Sequence, residues 1–148
     1  MKWLRNPLCA IALAAAAWPA SATDMPCLKG KQAELVRASD LFAALKSVWS
    51  GPQCAQVGRV VAQLQARPVQ GGRKLQGAKA LDAEAARKEL EAARADPEFT
   101  RKVAAASEGV TDPTARLVVE TALLEDEGHF SASQLLMDEI AAKTQGAR

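Results

Sequence analysis

The residues able to do chemistry in this 148-residue chain are few: one histidine, His129, no tyrosine and three cysteines. A Ser-His-Asp arrangement would have to use His129 with Ser131 or Ser133, yet neither serine lies in the elbow sequence that exposes a nucleophile. Gly71-Gly72-Arg73-Lys74 lacks the Gly-x-x-x-x-Gly-Lys-Ser/Thr spacing that curls backbone amides around phosphate. Carboxylates are plentiful enough for acid and base hydrolysis, but on polar helical stretches they ordinarily serve solvation, and no two are singled out. The cysteines form no Cys-x-x-Cys, and no nearby histidine completes a zinc site. No catalytic residue, cofactor or metal is assigned on this basis.

One cluster departs from the ordinary pattern. Glu125, Asp126 and Glu127 fall in the last turn of a predicted helix, where the macrodipole favours cations and each exposed acid costs about 0.3 to 1 kcal/mol. Such violations of a local rule sometimes mark function. Together with His129, the cluster suits weak binding of a divalent cation, reception of a basic partner, or neutralisation by Arg73, Lys74 and Lys79 of the same chain. The last ranks first. The candidate binding residues are therefore Glu125, Asp126, Glu127, His129, Arg73 and Lys74.

Where the chain works is suggested by its start. Lys2 and Arg5 precede an uncharged, mostly apolar run from Leu8 to Trp18, followed by Pro19 and Ala20-Ser21-Ala22. This reads as a bacterial secretory signal peptide over residues 1–22, cleaved after Ala22. The run is well short of the roughly 18 residues that span a bilayer. Cys9 lies near its beginning, whereas a lipid-modified cysteine would close it, so Cys9 leaves with the leader. The remainder, 23–148, has the length of one domain and no second run of membrane length, and is expected in the periplasm. There Cys27 and Cys54 are an even pair in an oxidising compartment, and a bridge between them would stabilise the fold by roughly 3 to 4 kcal/mol.

Two of the 19 basic residues leave with the leader and none of the 17 acids does, so the remaining chain is neutral. Its charge is unevenly spread. Residues 23–81 hold nine bases and three acids, whereas 82–148 hold eight bases and fourteen acids. Asymmetry of this kind accompanies nucleic-acid or membrane surfaces in some proteins. Export argues against nucleic acid, and the two halves are suited to attract each other.

The elements that must position these residues are helical, because no stretch alternates apolar and polar residues with β-branched enrichment. The expected class is all-α, a small domain of about five to six helices built from αα-hairpins with one disulfide. A first helix from Lys31 to Trp49 would carry a stripe of Leu35, Ala38, Phe42, Leu45 and Trp49, stopped by Gly51-Pro52. A second, Cys54 to Ala66, would complete a disulfide-stapled hairpin over 23–66. Glycines and a proline make 67–81 a loop, and 82–148 the helical remainder. Within it, Asp82 to Ala95 has Leu90 almost alone as a large apolar residue and is expected to face solvent. Asp96-Pro97 and Asp112-Pro113 each combine a capping acid with a proline suited to the first turn, opening helices that end near Gly109 and Gly128. The final helix, Ser131 to about Lys143, is expected to start with a Ser131/Gln134 capping box and a Phe130/Leu135 staple.

In length and register, residues 112–145 resemble one tetratricopeptide-repeat hairpin. Leu117, Leu124, Gly128, Phe130 and Ser133 fall where that repeat favours two large apolar residues, a glycine, an aromatic and a small residue. Thr121 and Ile140 replace its small residues, no terminal proline follows, and Arg94 and Asp96 occupy the equivalent of Gly128 and Phe130 one period earlier. The resemblance implies a peptide- or protein-binding hairpin. The thin catalytic inventory and an αα architecture suited to grooves lead to an expected periplasmic binding module of adaptor, inhibitor or immunity type, partnered by another envelope protein. The alternatives are a small periplasmic hydrolase using carboxylates and a weak divalent-cation binder at 125–129.

Overall fold

A computed structural model describes residues 25–67 and 82–146. The expected leader 1–22 and all of the loop 67–81 except Arg67, including Arg73, Lys74 and Lys79, lie outside the described residues. The described chain is all-helical, with six helices: α1 (Gly30–Arg37), α2 (Cys54–Ala66), α3 (Ala83–Ala95), α4 (Pro97–Ala106), α5 (Pro113–Asp126) and α6 (Phe130–Gly146). Among these residues no strand occurs, and no helix is long and apolar enough to cross a membrane.

The expected disulfide is present. Cys27 and Cys54 are bonded with Cα atoms 6.0 Å apart, so the chain ahead of α1 is tied to the first turn of α2. The helix expected over Lys31 to Trp49 ends instead at Arg37. Ala38 caps it, and the Ser39 hydroxyl accepts the Leu41 amide at 3.0 Å, a local bond that competes with helix continuation. From there to Gln53 the backbone turns repeatedly on bonds such as Phe42 N to Ser39 O, Val48 N to Leu45 O and Gly51 N to Val48 O. The apolar spacing still works in part: Leu45 and Trp49 are buried and Phe42 is half-buried, but Ala38 is exposed. Trp49 stacks on Phe42 and donates its indole N–H to the Phe42 carbonyl at 2.9 Å.

Three aspartates start helices, Asp96 and Asp112 as their Asp-Pro pairs suggested. Asp82, Asp96 and Asp112 accept the amides of Ala85, Glu98 and Ala115 respectively, at 2.9–3.1 Å. α5 lies at the centre, packed against α2, α4 and α6, and is buried from Val118 to Leu124 without interruption. At its C-terminus Gly128 takes φ 86°, while the His129 amide reaches Leu124 O and the Gly128 amide reaches Glu125 O, the double closure that favours glycine there.

Two expectations fail around α6. The helix starts one residue early, at Phe130, with His129 O accepting the Ser133 amide, so Ser131 lies inside the first turn and cannot cap. The Ala132 amide is instead capped by Glu89 of α3 at 2.8 Å, and Phe130 is 65% exposed, which excludes the staple. Helix α3 likewise does not simply face solvent. Ala86, Leu90 and Ala93 are buried and the helix packs along α6, because small alanines permit close approach with little side-chain bulk.

Candidate functional site

Helix α4 buries one of its ten residues, Phe99, and leaves a cleft along each of two faces. The first cleft, about 520 Å³, runs between α4, the end of α5 and the turn segment ahead of α2. Its apolar lining includes Val48, Ala105, Ala106 and Leu123, and its charged lining is Lys102, Glu108, Asp126 and Glu127. Ser47 donates its hydroxyl to the Glu108 carbonyl at 3.2 Å, joining the turn segment to the end of α4. Lys102 Nζ donates to Glu127 Oε2 at 2.8 Å; that hydrogen bond, then the attraction of the carboxylate, raises the lysine pKa above its ordinary value. One positive charge therefore faces three negative ones. At the same cleft Gln53 Oε1 is a buried acceptor with no hydrogen-bond partner among the described residues.

The second cleft, about 360 Å³, lies between α4 and the first half of α5. Phe99, Val103 and Leu117 supply apolar walls, and Arg94, Arg116 and Glu120 supply charge. Arg94 grips Glu120 with both arms of its guanidinium, Nε to Oε2 at 2.7 Å and Nη2 to Oε1 at 2.8 Å. The hydrogen bond to Glu120 raises the Arg94 pKa, against the opposing effect of partial burial. Arg116 Nε donates to the Val110 carbonyl at 3.0 Å. Ser107, only 2% exposed, lines the same cleft, and its hydroxyl has no hydrogen-bond partner among the described residues.

The acidic turn does not converge on a point. Glu125 accepts the Ser133 hydroxyl at 3.1 Å, Glu127 turns to Lys102, and Asp126 stands on the first cleft. His129 Nδ1 lies 3.8 Å from Glu89 Oε2, with its ring edge-on to Phe99. Among the described residues no group of three or more His, Cys, Asp or Glu side chains is placed to hold a metal ion. Ser133 is bonded to Glu125, so it is not arranged as a nucleophile on His129. Arg73 and Lys74, expected opposite this turn, lie outside the described residues.

Of five described ion pairs, only Arg67 with Asp138, at 3.0 Å, joins the basic half to the acidic half. Among the described residues, the cation that meets the acidic turn is Lys102, from the acidic half itself. Sequence reading overlooked Lys102, Glu108 and Gln53. Nothing in their local spacing sets them apart, because residues about 50 positions apart meet only when the turn segment folds beside α4.

The aromatic of the tetratricopeptide resemblance, Phe130, stands in solvent. Compared with known proteins, the chain matches no family model, no curated protein and no solved structure.

Proposed function

We propose that this chain is an exported periplasmic protein that acts as a protein- or peptide-binding module, receiving a short cationic segment of another envelope protein in the first cleft. The observation that carries this reading is an unpartnered acceptor, Gln53 Oε1, at an apolar-lined cleft with Glu108, Asp126 and Glu127. A buried acceptor without a donor is costly, and a lysine or arginine head supplies both the missing N–H and the opposite charge. The apolar lining accepts the carbon stem of such a side chain. The leader-like start and the Cys27–Cys54 bond fit an oxidising compartment outside the cytoplasm.

A hydrolytic reading has less support. Glu120 is the most buried carboxylate described, and both its oxygens already accept hydrogen bonds from Arg94. Glu127 is committed to Lys102.

Binding is tested by titrating labelled protein with a short peptide alternating lysine and leucine, and with its glutamate counterpart. The lysine peptide is expected to shift the amides of Gln53, Lys102 and Leu123, and the glutamate peptide to leave them unmoved. The exposed pair Glu108→Gln with Asp126→Asn should weaken the lysine peptide about tenfold without unfolding the protein. Equal binding of both peptides would overturn the reading, and their cleavage would replace it with hydrolysis. For export, the protein recovered from the periplasmic fraction is expected to begin at Thr23; an unprocessed cytoplasmic chain would refute that part.

A further inference from the structure

We infer that the second cleft, on the other side of α4, binds a small apolar molecule that ends in a carboxylate. Its size, about 360 Å³, falls within the range of about 300 to 1,000 Å³ usual for small-ligand sites. Phe99, Val103 and Leu117 offer the apolar walls. The charges select the sign of the polar end. Arg94 and Glu120 satisfy each other through two short hydrogen bonds, which leaves Arg116 as the cation without an acidic partner among the described residues. Its Nε is held by the Val110 carbonyl, so the guanidinium is anchored while its terminal nitrogens make no described bond. A guanidinium fixed in this way presents the paired donors that fit a carboxylate.

The Ser107 hydroxyl is an independent sign of a ligand. It is buried at the same cleft and has neither donor nor acceptor partner among the described residues. Buried hydroxyls are ordinarily bonded, and one left unbonded at a cleft that an anchored arginine also lines is suited to donate to an oxygen anion. Ser107 and Arg116 are thus the polar pair, and Phe99, Val103 and Leu117 the apolar contact. The carboxylate has two sources, a free aliphatic acid or the C-terminus of an apolar peptide, and both present the same chemistry to the cleft.

Titration of isotope-labelled protein with octanoate, with octanol, and with N-acetyl-leucyl-leucine as free acid and as amide separates these. Octanoate is expected to shift the amides of Phe99, Val103, Ser107 and Leu117 in a saturable way, with octanol at least about tenfold weaker. Arg116→Gln should weaken octanoate about tenfold and Ser107→Ala about threefold, both without moving the response of the first cleft to a lysine peptide. If Arg116→Gln unfolds the chain, Val103→Glu at a half-buried position should abolish binding by setting a like charge in the cleft. A free-acid peptide that binds better than octanoate points to a chain end, and the reverse to a free aliphatic acid; either supports the carboxylate. Equal affinity for octanoate and octanol together with equal affinity for the peptide acid and its amide, or no saturable shift up to about 10 mM, overturns the inference.

Discussion

Helices α4 and α5 open on the same two residues, Asp-Pro, and each is capped by its aspartate, yet their surroundings are opposite. α5 is enclosed by α2, α4 and α6 and buries eight of its fourteen residues, including Thr121 and Glu120. α4 buries one of ten. The start signal decides where a helix opens, because it satisfies amides that the helix itself leaves free. It carries no information on what the helix packs against. Lys102, Ala104 and Ala105 of α4 are exposed and the two clefts lie beside it, so the least buried helix is the one that borders both candidate sites.

The strongest test of this contrast is Phe99→Ala. Phe99 is the single buried anchor of α4, and its truncation is expected to cost about 3 to 5 kcal/mol, whereas half-buried Val103→Ala should cost about 1 kcal/mol or less in thermal unfolding. Similar losses for the two would mean that α4 is held along its length. In α5, Leu124→Ala is expected to cost about 2 to 5 kcal/mol, with hydrogen-exchange protection falling across the whole domain and not in α5 alone.

Removing the caps should give smaller and unequal effects. Asp112→Ala should lower global stability by about 1 kcal/mol, because the helix it starts is the centre of the fold. Asp96→Ala removes an equivalent bond from α4, and much of its effect should appear as faster local amide exchange near residues 98–100. Equal global losses would erase the distinction between the helices.

The smallest expected effect concerns the ion pair that joins them. Lys102 has a raised pKa beside Glu127, so the pair's contribution is complete below the lysine's ordinary pKa and disappears as pH rises through the raised value. Titration of the labelled lysine side chain should place Lys102 above an unpaired exposed lysine, and Glu127→Gln should restore it. Because this lysine is exposed, thermal stability at neutral pH should change little in that variant.

Much of the secondary structure was legible in the residues themselves. α2 spans Cys54 to Ala66 as its pattern suggested, and the Asp-Pro pairs mark the starts of α4 and α5. The failures share a cause. Apolar spacing alone carries the first helix through Ser39, although a hydroxyl that bonds the amide two residues on allows the chain to turn while keeping Leu45 and Trp49 inward. The capping box at Ser131 was a sound local pattern, but Glu89 from α3 supplies the cap. The acidic turn stands out from its place at a helix end; its described cation is Lys102, while Arg73, Lys74 and Lys79 lie outside the described residues.

What the sequence determined by itself was the all-helical class, most helix starts and the Cys27–Cys54 pairing, because capping, periodicity and cysteine number act over a few residues or leave a single choice. What only the tertiary structure decided was which helix became the centre and where clefts opened. It also decided that Gln53 lines one cleft with Asp126 and Glu127, and Ser107 lines the other with Arg116. These depend on how side-chain volumes from distant segments fill, or fail to fill, the same space, and no local pattern records that sum.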